Sequence, residues 1–147
     1  MLHMQNEIVR ELIIPAVPQT VWDRSFATPG ALSSWFPERI EGNFKSGGTF
    51  LLIWGEHRCE ARLTELNPPT TFAYQWHPGE ACSLTDYPEE QFTSVTFTLH
   101  PHPDGTKVVM TETGFANIPV QRQAIALTEN TSGWDDELKK LIAQHQN

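Results

Sequence analysis

The feature that most constrains this chain is its last stretch, Gly133 through His145, an amphipathic helix that follows a long block of strand-like sequence. Trp134, Leu138, Leu141 and Ile142 recur at the three-and-four spacing of one helical face, and a face of that kind has to be covered. With strands as the available cover, the sheet has to bend around the helix. The opposite face carries Asp135 and Asp136 four residues ahead of Lys139 and Lys140, the acid-first order that supports a solvated helix by about 0.3 kcal/mol per pair. Two starts fit this helix. It can run unbroken from about Gln121, or restart at Ser132-Gly133, where Ser132 and Asp135 form a partial capping box.

Upstream, Glu7 to Ile14 reads as a first strand closed by Pro15, and Pro18 opens a short helix with Val21, Trp22, Ser25 and Phe26 on one face. A second helix follows, with Thr28 as N-cap, Pro29 at its first position, Leu32, Trp35 and Phe36 as its apolar face, and Pro37 as its stop. From Arg39 to Thr113 the period changes to two, broken by Ser46-Gly47-Gly48, Asn67-Pro68-Pro69 and Pro103-Asp104-Gly105. Phe50, Leu52 and Trp54 alternate, as do Phe72, Tyr74 and Trp76, then Val95, Phe97 and Leu99, then Val108 and Met110, while Ser94, Thr96 and Thr98 take the other face. An antiparallel meander with one greasy and one wet face is expected. Pro78 to Gln91, with Asp86, Pro88, Glu89 and Glu90, has no strong period and reads as a surface loop near the end of the sheet. The sum is an α+β layer, a single domain over 1–147 without repeats or linkers.

Composition narrows the partners. Ten Lys plus Arg against eighteen Asp plus Glu leave a formal charge of −8, which opposes nucleic acid. No apolar run reaches the length that spans a bilayer, and residues 1–5 lack the basic start of a secretory signal, so a soluble cytoplasmic protein without membrane insertion is expected. Hydrophobic residues at 39%, with five Trp and eight Phe, supply large side chains for a core or a cavity wall. Cys59 and Cys82 sit in neither a C-x-x-C nor a zinc-ligand spacing and read as free, partly buried thiols.

The inward set is Trp35, Phe36, Phe50, Leu52, Trp54, Tyr74, Trp76, Phe97, Met110, Phe115 and Trp134. Each can simply pack in a core, but several Trp together are bulky for a close-packed seam and typical of walls around an apolar ligand. Continuing the alternation of Val108 and Met110 turns Glu112 toward the same face. A carboxylate there is raised in pKa by desolvation unless a cation or donor meets it, which suits a general acid/base or a ligand anchor; solvation at the strand end or an Arg partner is the plainer alternative. His57, Glu60, Arg62 and His77 fall on neighbouring strands or strand ends, where they can form a polar cluster at a pocket mouth. His100-Pro101-His102 lies in a Pro-rich turn without a third ligand, so no metal is expected. No nucleophile elbow, phosphate loop or zinc-protease motif occurs, and no cofactor is expected.

Taken in order, Val21-Trp22, Trp35-Phe36-Pro37, Glu65-x-x-Pro68-Pro69, Phe72-x-Tyr74-x-Trp76, Val95-Thr96-Phe97-x-Leu99, Gly105-Thr106, Glu112-x-Gly114-Phe115 and Gly133-Trp134-x-x-x-Leu138 resemble the superfamily of START and birch-pollen-allergen-like (SRPBCC) domains. Within it they are most similar to the activator of heat-shock protein 90 ATPase homologue family. The resemblance implies a helix-grip fold: a curved seven-stranded antiparallel sheet wrapped around a long C-terminal helix, with an internal cavity between them. It implies binding of lipids, sterols, polyketides or other hydrophobic molecules, cyclase or hydrolytic activity in some members, and co-chaperone work in others. Fold alone does not choose among these.

Three readings follow. The first is a carrier of a small hydrophobic molecule, with Glu112 or Arg62 at its polar end. The second is a cyclase- or dehydratase-like enzyme in which a pocket carboxylate moves a proton on a carbonyl substrate. The third is a protein-interaction domain with a protein partner or a homodimer.

Overall fold

The computed structural model describes residues 6–78, 84 and 88–146. β1 (Glu7–Ile14) leads into α1 (Pro18–Ser25) and α2 (Pro29–Ser33), followed by β2 (Arg39–Gly42), β3 (Thr49–Trp54), β4 (His57–Asn67), β5 (Thr71–Trp76), β6 (Thr93–His102), β7 (Gly105–Thr113) and α3 (Val120–Gln144). Short 3-10 turns at Glu89–Gln91 and Phe115–Asn117 precede β6 and α3.

The seven strands form one antiparallel sheet in the order β1-β7-β6-β5-β4-β3-β2. β2 to β7 are a continuous meander, and β1 closes the far edge against β7. Alternation does what the sequence implies: Val95, Phe97 and Leu99 are buried while Ser94, Thr96 and Thr98 are not. Tight turns hold the meander. Gly105 has φ 136, and a Cβ there would lie 2.2 Å from the Ile14 carbonyl, so the end of β1 passes too close for any side chain. β3 and β4 are joined through Gly55-Glu56, a two-residue hairpin with Gly55 at φ 58 that the sequence reading passed over.

The second helix is shorter than expected. Thr28 Oγ1 accepts the Ala31 N–H at 3.0 Å as its cap, but the helix ends at Ser33. A residue before proline avoids helical geometry, so Phe36 ahead of Pro37 leaves the helix early. Trp35 and Phe36 still turn inward, and the Trp35 indole N–H donates to the Ser25 carbonyl at 2.9 Å.

α3 settles the question of the last helix, for its 25 residues run without a break and Gly133 lies in their middle. Gln123, Ala126, Trp134, Leu138 and Leu141 are buried against the sheet, and Asp135 meets Arg10 of β1 at 2.8 Å on the rim. The sheet therefore curves over α3 in the helix-grip arrangement. No helix among the described residues is long and apolar enough to cross a membrane.

Candidate functional site

The polar centre of the interior is Glu112, fully buried on β7. Register places it beside Val95 on β6 and Ile8 on β1, with Tyr74 beyond Val95 on β5 and Trp76 opposite Thr93 one step along. Its Oε2 accepts from the Trp76 indole N–H at 2.9 Å and the Thr93 hydroxyl at 2.6 Å. Its Oε1 accepts from the Trp134 indole N–H at 2.8 Å. The Asn130 amide, one helical turn before Trp134, donates to both oxygens at 2.9 and 3.0 Å. Three strands and the helix thus converge on one carboxylate, and every described donor to it is neutral. Hydrogen bonds to a charged acceptor are the stronger kind, about 1.5–3 kcal/mol each.

Three of these donors, Trp76, Asn130 and Trp134, belong to a cavity wall. A cavity of about 310 Å³ lies between α3 and the ends of β3, β4 and β5. Phe36, Trp54, Trp76 and Trp134 supply its aromatic surface, His57, Cys59, His77 and Pro78 its strand-end rim, and Glu129, Asn130, Gly133 and Glu137 its helical side. The rings stand against one another, with centroids 5.0 Å apart for Phe36 and Trp134, 5.4 Å for Phe36 and Trp54, and 6.2 Å for Trp76 and Trp134. Because the N–H edges of Trp76 and Trp134 are turned to Glu112, their carbon surfaces are what remains for the cavity.

The inward aromatic set therefore divides. Phe36, Trp54, Trp76 and Trp134 line the space. Trp35, Phe50, Leu52, Tyr74, Phe97, Met110 and Phe115 are packed into the core instead: Phe97 touches both Trp35 and Trp134, and Tyr74 is wedged between Phe50 and Trp76. The Tyr74 hydroxyl is buried with no hydrogen-bond partner among the described residues. Burial, and then the negative charges of Glu112 and Glu137, hold its pKa well above the usual phenol range.

The expected polar cluster splits as well. Arg62 does not reach the cavity: it shares its strand face with Glu60, opposite the buried Cys59, Ala61 and Leu63, and is bonded to Gln75 and Glu89. Glu60 accepts the Leu84 N–H at 3.2 Å. His57 and His77 remain at the mouth. His77 Nδ1 lies 3.1 Å from the Pro78 carbonyl, and burial, then nearby Arg122, lower its pKa.

Cys59 requires a correction, since it is disulfide-bonded and not a free thiol. The chain's other cysteine, Cys82, lies outside the described residues, as does much of the Pro78–Gln91 segment read as a surface loop. Among the described residues no group of three or more His, Cys, Asp and Glu is placed to hold a metal ion; His100 contacts the Thr98 hydroxyl at 3.0 Å, and His102 sits beside Asp104.

Thr93, Glu129, Asn130 and Glu137 were not singled out from the sequence. Asn130, Trp134 and Glu137 follow the same four-then-three spacing as the apolar stripe, so this signal was available once the helix was extended upstream of Gly133.

A family model described as activator of Hsp90 ATPase homolog 1-like protein matches residues 15–145. Among curated proteins there is no match. Among solved structures, protein MLL2253 from Mesorhizobium loti is 25% identical with a TM-score of 0.73, over 93% of this chain and 94% of that one. The Aha1 dimer from Colwellia psychrerythraea is 20% identical with a TM-score of 0.74, over 96% of each chain. DynU16, from the dynemicin biosynthetic locus, is 15% identical with a TM-score of 0.73, over 95% of this chain and 47% of that one.

Proposed function

The chain belongs to the activator of Hsp90 ATPase homolog 1-like family, and from that premise we propose that it binds a small, ring-containing hydrophobic molecule in the cavity at the side of α3. The observation that carries this reading is the cavity of about 310 Å³ with four aromatic residues in its wall. Its volume is at the lower end of the roughly 300–1,000 Å³ of small-molecule sites, which fits one or two rings better than a sterol. Each 100 Å² of ligand surface taken out of water there contributes about 2.5 kcal/mol before the losses of association.

Glu112 serves this site from behind. Both its oxygens are occupied by described donors, so its geometry supports holding Trp76, Asn130 and Trp134 in place rather than moving a proton on a substrate. The test uses ligand-observed NMR with one- and two-ring compounds on the wild type, Trp54→Ala and Gly133→Leu. Trp54 and Gly133 line the cavity outside the Glu112 network, and a Cβ at Gly133 meets no atom within 4 Å. Binding that weakens in both variants while their unfolding curves stay close to wild type is expected. Binding indifferent to both variants would remove the cavity from consideration.

A second reading, self-association, is favoured by Val9 and Ile13, each 44% exposed on edge strand β1, and by the dimer formed by the Colwellia relative. Sedimentation of the wild type against Val9→Lys/Ile13→Lys distinguishes it: a dimer that the double variant dissolves supports this reading, and a monomer at all concentrations rejects it.

A further inference from the structure

The charges around the cavity bear on what kind of molecule enters it. Its described lining contains two carboxylates, Glu129 and Glu137, and neither lysine nor arginine. A third carboxylate, Glu112, lies immediately behind the Trp76 and Trp134 rings with neutral described donors only. An indole that donates its N–H to a carboxylate carries more electron density on its ring, and ring faces of that kind attract cations. Two cations are close by, neither of them in the wall. Lys140 reaches Glu137 at 3.2 Å from a mostly exposed position, and Arg122 lies on the side of His77. An anionic ligand would meet carboxylates on the helical side, and a neutral one would add nothing to the pairing of Glu137 with Lys140 and would leave Glu129 without a cation among the described residues.

Building on the ligand-binding reading above, we propose that the cavity selects a molecule whose apolar ring body carries an ammonium group, the ring lying among Phe36, Trp54, Trp76 and Trp134 and the cation held by the indole faces and by Glu129 and Glu137. Aromatic walls supply the apolar contact and the cation–π attraction; the two helical carboxylates supply the long-range pull.

Three soluble probes of matched size separate the contributions: 2-phenylethylammonium, 2-phenylethanol and phenylacetate, each titrated against the full chain with the indole N–H signals read by heteronuclear NMR. The ammonium compound is expected to bind about tenfold more tightly than the alcohol, the scale of a partly desolvated cation–π contact with carboxylate support, and phenylacetate most weakly. In Glu129→Gln/Glu137→Gln, and in high salt for the wild type, that advantage is expected to shrink while the alcohol's affinity stays constant. Glu129 is exposed on α3 while the Glu137 side chain is mostly buried beside Lys140, so the unfolding curve of the variant checks its fold. Equal binding of the alcohol and the ammonium compound would overturn the charge selection and leave the cavity reading standing. An ammonium preference untouched by both the double variant and salt would overturn the role of the two glutamates. If none of the three probes binds, the cavity reading itself falls.

Discussion

Replacing Glu112 by Gln tests the convergence of sheet and helix on one carboxylate. The amide keeps the shape but can offer an acceptor on only one side. Turned one way, its oxygen serves Trp134 and its NH2 faces the Trp76 indole N–H; turned the other way, Trp76 is served and Trp134 is not. In either pose one buried indole donor is left without an acceptor, at about 1–3 kcal/mol, and the remaining bonds lose roughly half their strength with the charge. Relief of the cost of burying a carboxylate offsets part of this. The net expectation is a loss of about 2–3 kcal/mol, read as a lower urea midpoint at unchanged slope, with a fall in Tm of roughly 5–10 °C. Thr93→Val, which removes one donor at almost constant shape, closes a double-mutant cycle with it, and the two are expected to be non-additive. A Glu112→Gln protein within about 0.5 kcal/mol of wild type, the usual scatter of inert substitutions, would refute the account of this carboxylate as the link between helix and strands.

Tyr74→Phe removes a hydroxyl that is buried without a described partner, so stability is expected to be unchanged or to rise by about 1 kcal/mol; a loss of that size in chemical denaturation would show that the hydroxyl has a partner. His77 and His145 both have pKa values lowered below 6.5, chiefly by burial. The unfolded chain therefore takes up these protons first as pH falls, and stability present above 6.5 is lost below it, by at most about 1.4 kcal/mol per pH unit for each histidine. Urea midpoints that stay level from neutral pH down to the carboxylate range would contradict this. Gly133→Ala is expected to gain about 0.5–1 kcal/mol, because the position is helical and open to a methyl group; a lower Tm would mean that the helix needs the glycine.

The fold was legible because its signals are local. Period-two runs punctuated by Gly and Pro define β3 to β7, and parity alone turned Glu112 inward. The same parity argument, applied to Cys59, Ala61 and Leu63, would have turned Arg62 outward, where it lies. What the sequence could not convey is the separation of rings that pack from rings that line a space. Tyr74 and Trp76 share one face of β5, yet only Trp76 reaches the cavity, because Tyr74 is enclosed by the rings of Phe50, Phe72 and Trp76. The donor Thr93 was invisible for a related reason: it comes from a separate strand and meets Glu112 only across the sheet, whereas Asn130 could be read from the helical spacing once α3 was extended upstream of Gly133. The Cys59 disulfide carries no spacing motif, so nothing in the sequence set it apart from a free thiol.

The sheet's edge has a consequence for how the chain is assembled. Glu7 pairs with Thr113 and Ile14 with Thr106, so β1 emerges from the ribosome long before β7, its strand partner among the described residues, exists. Until then Ile8, Leu12 and Ile14 belong to a strand with nothing to dock on, and contacts between such distant segments are slow to form. Synthesis thus passes through an interval in which the earliest strand is at its most prone to stray association, and completion of β7 ends it.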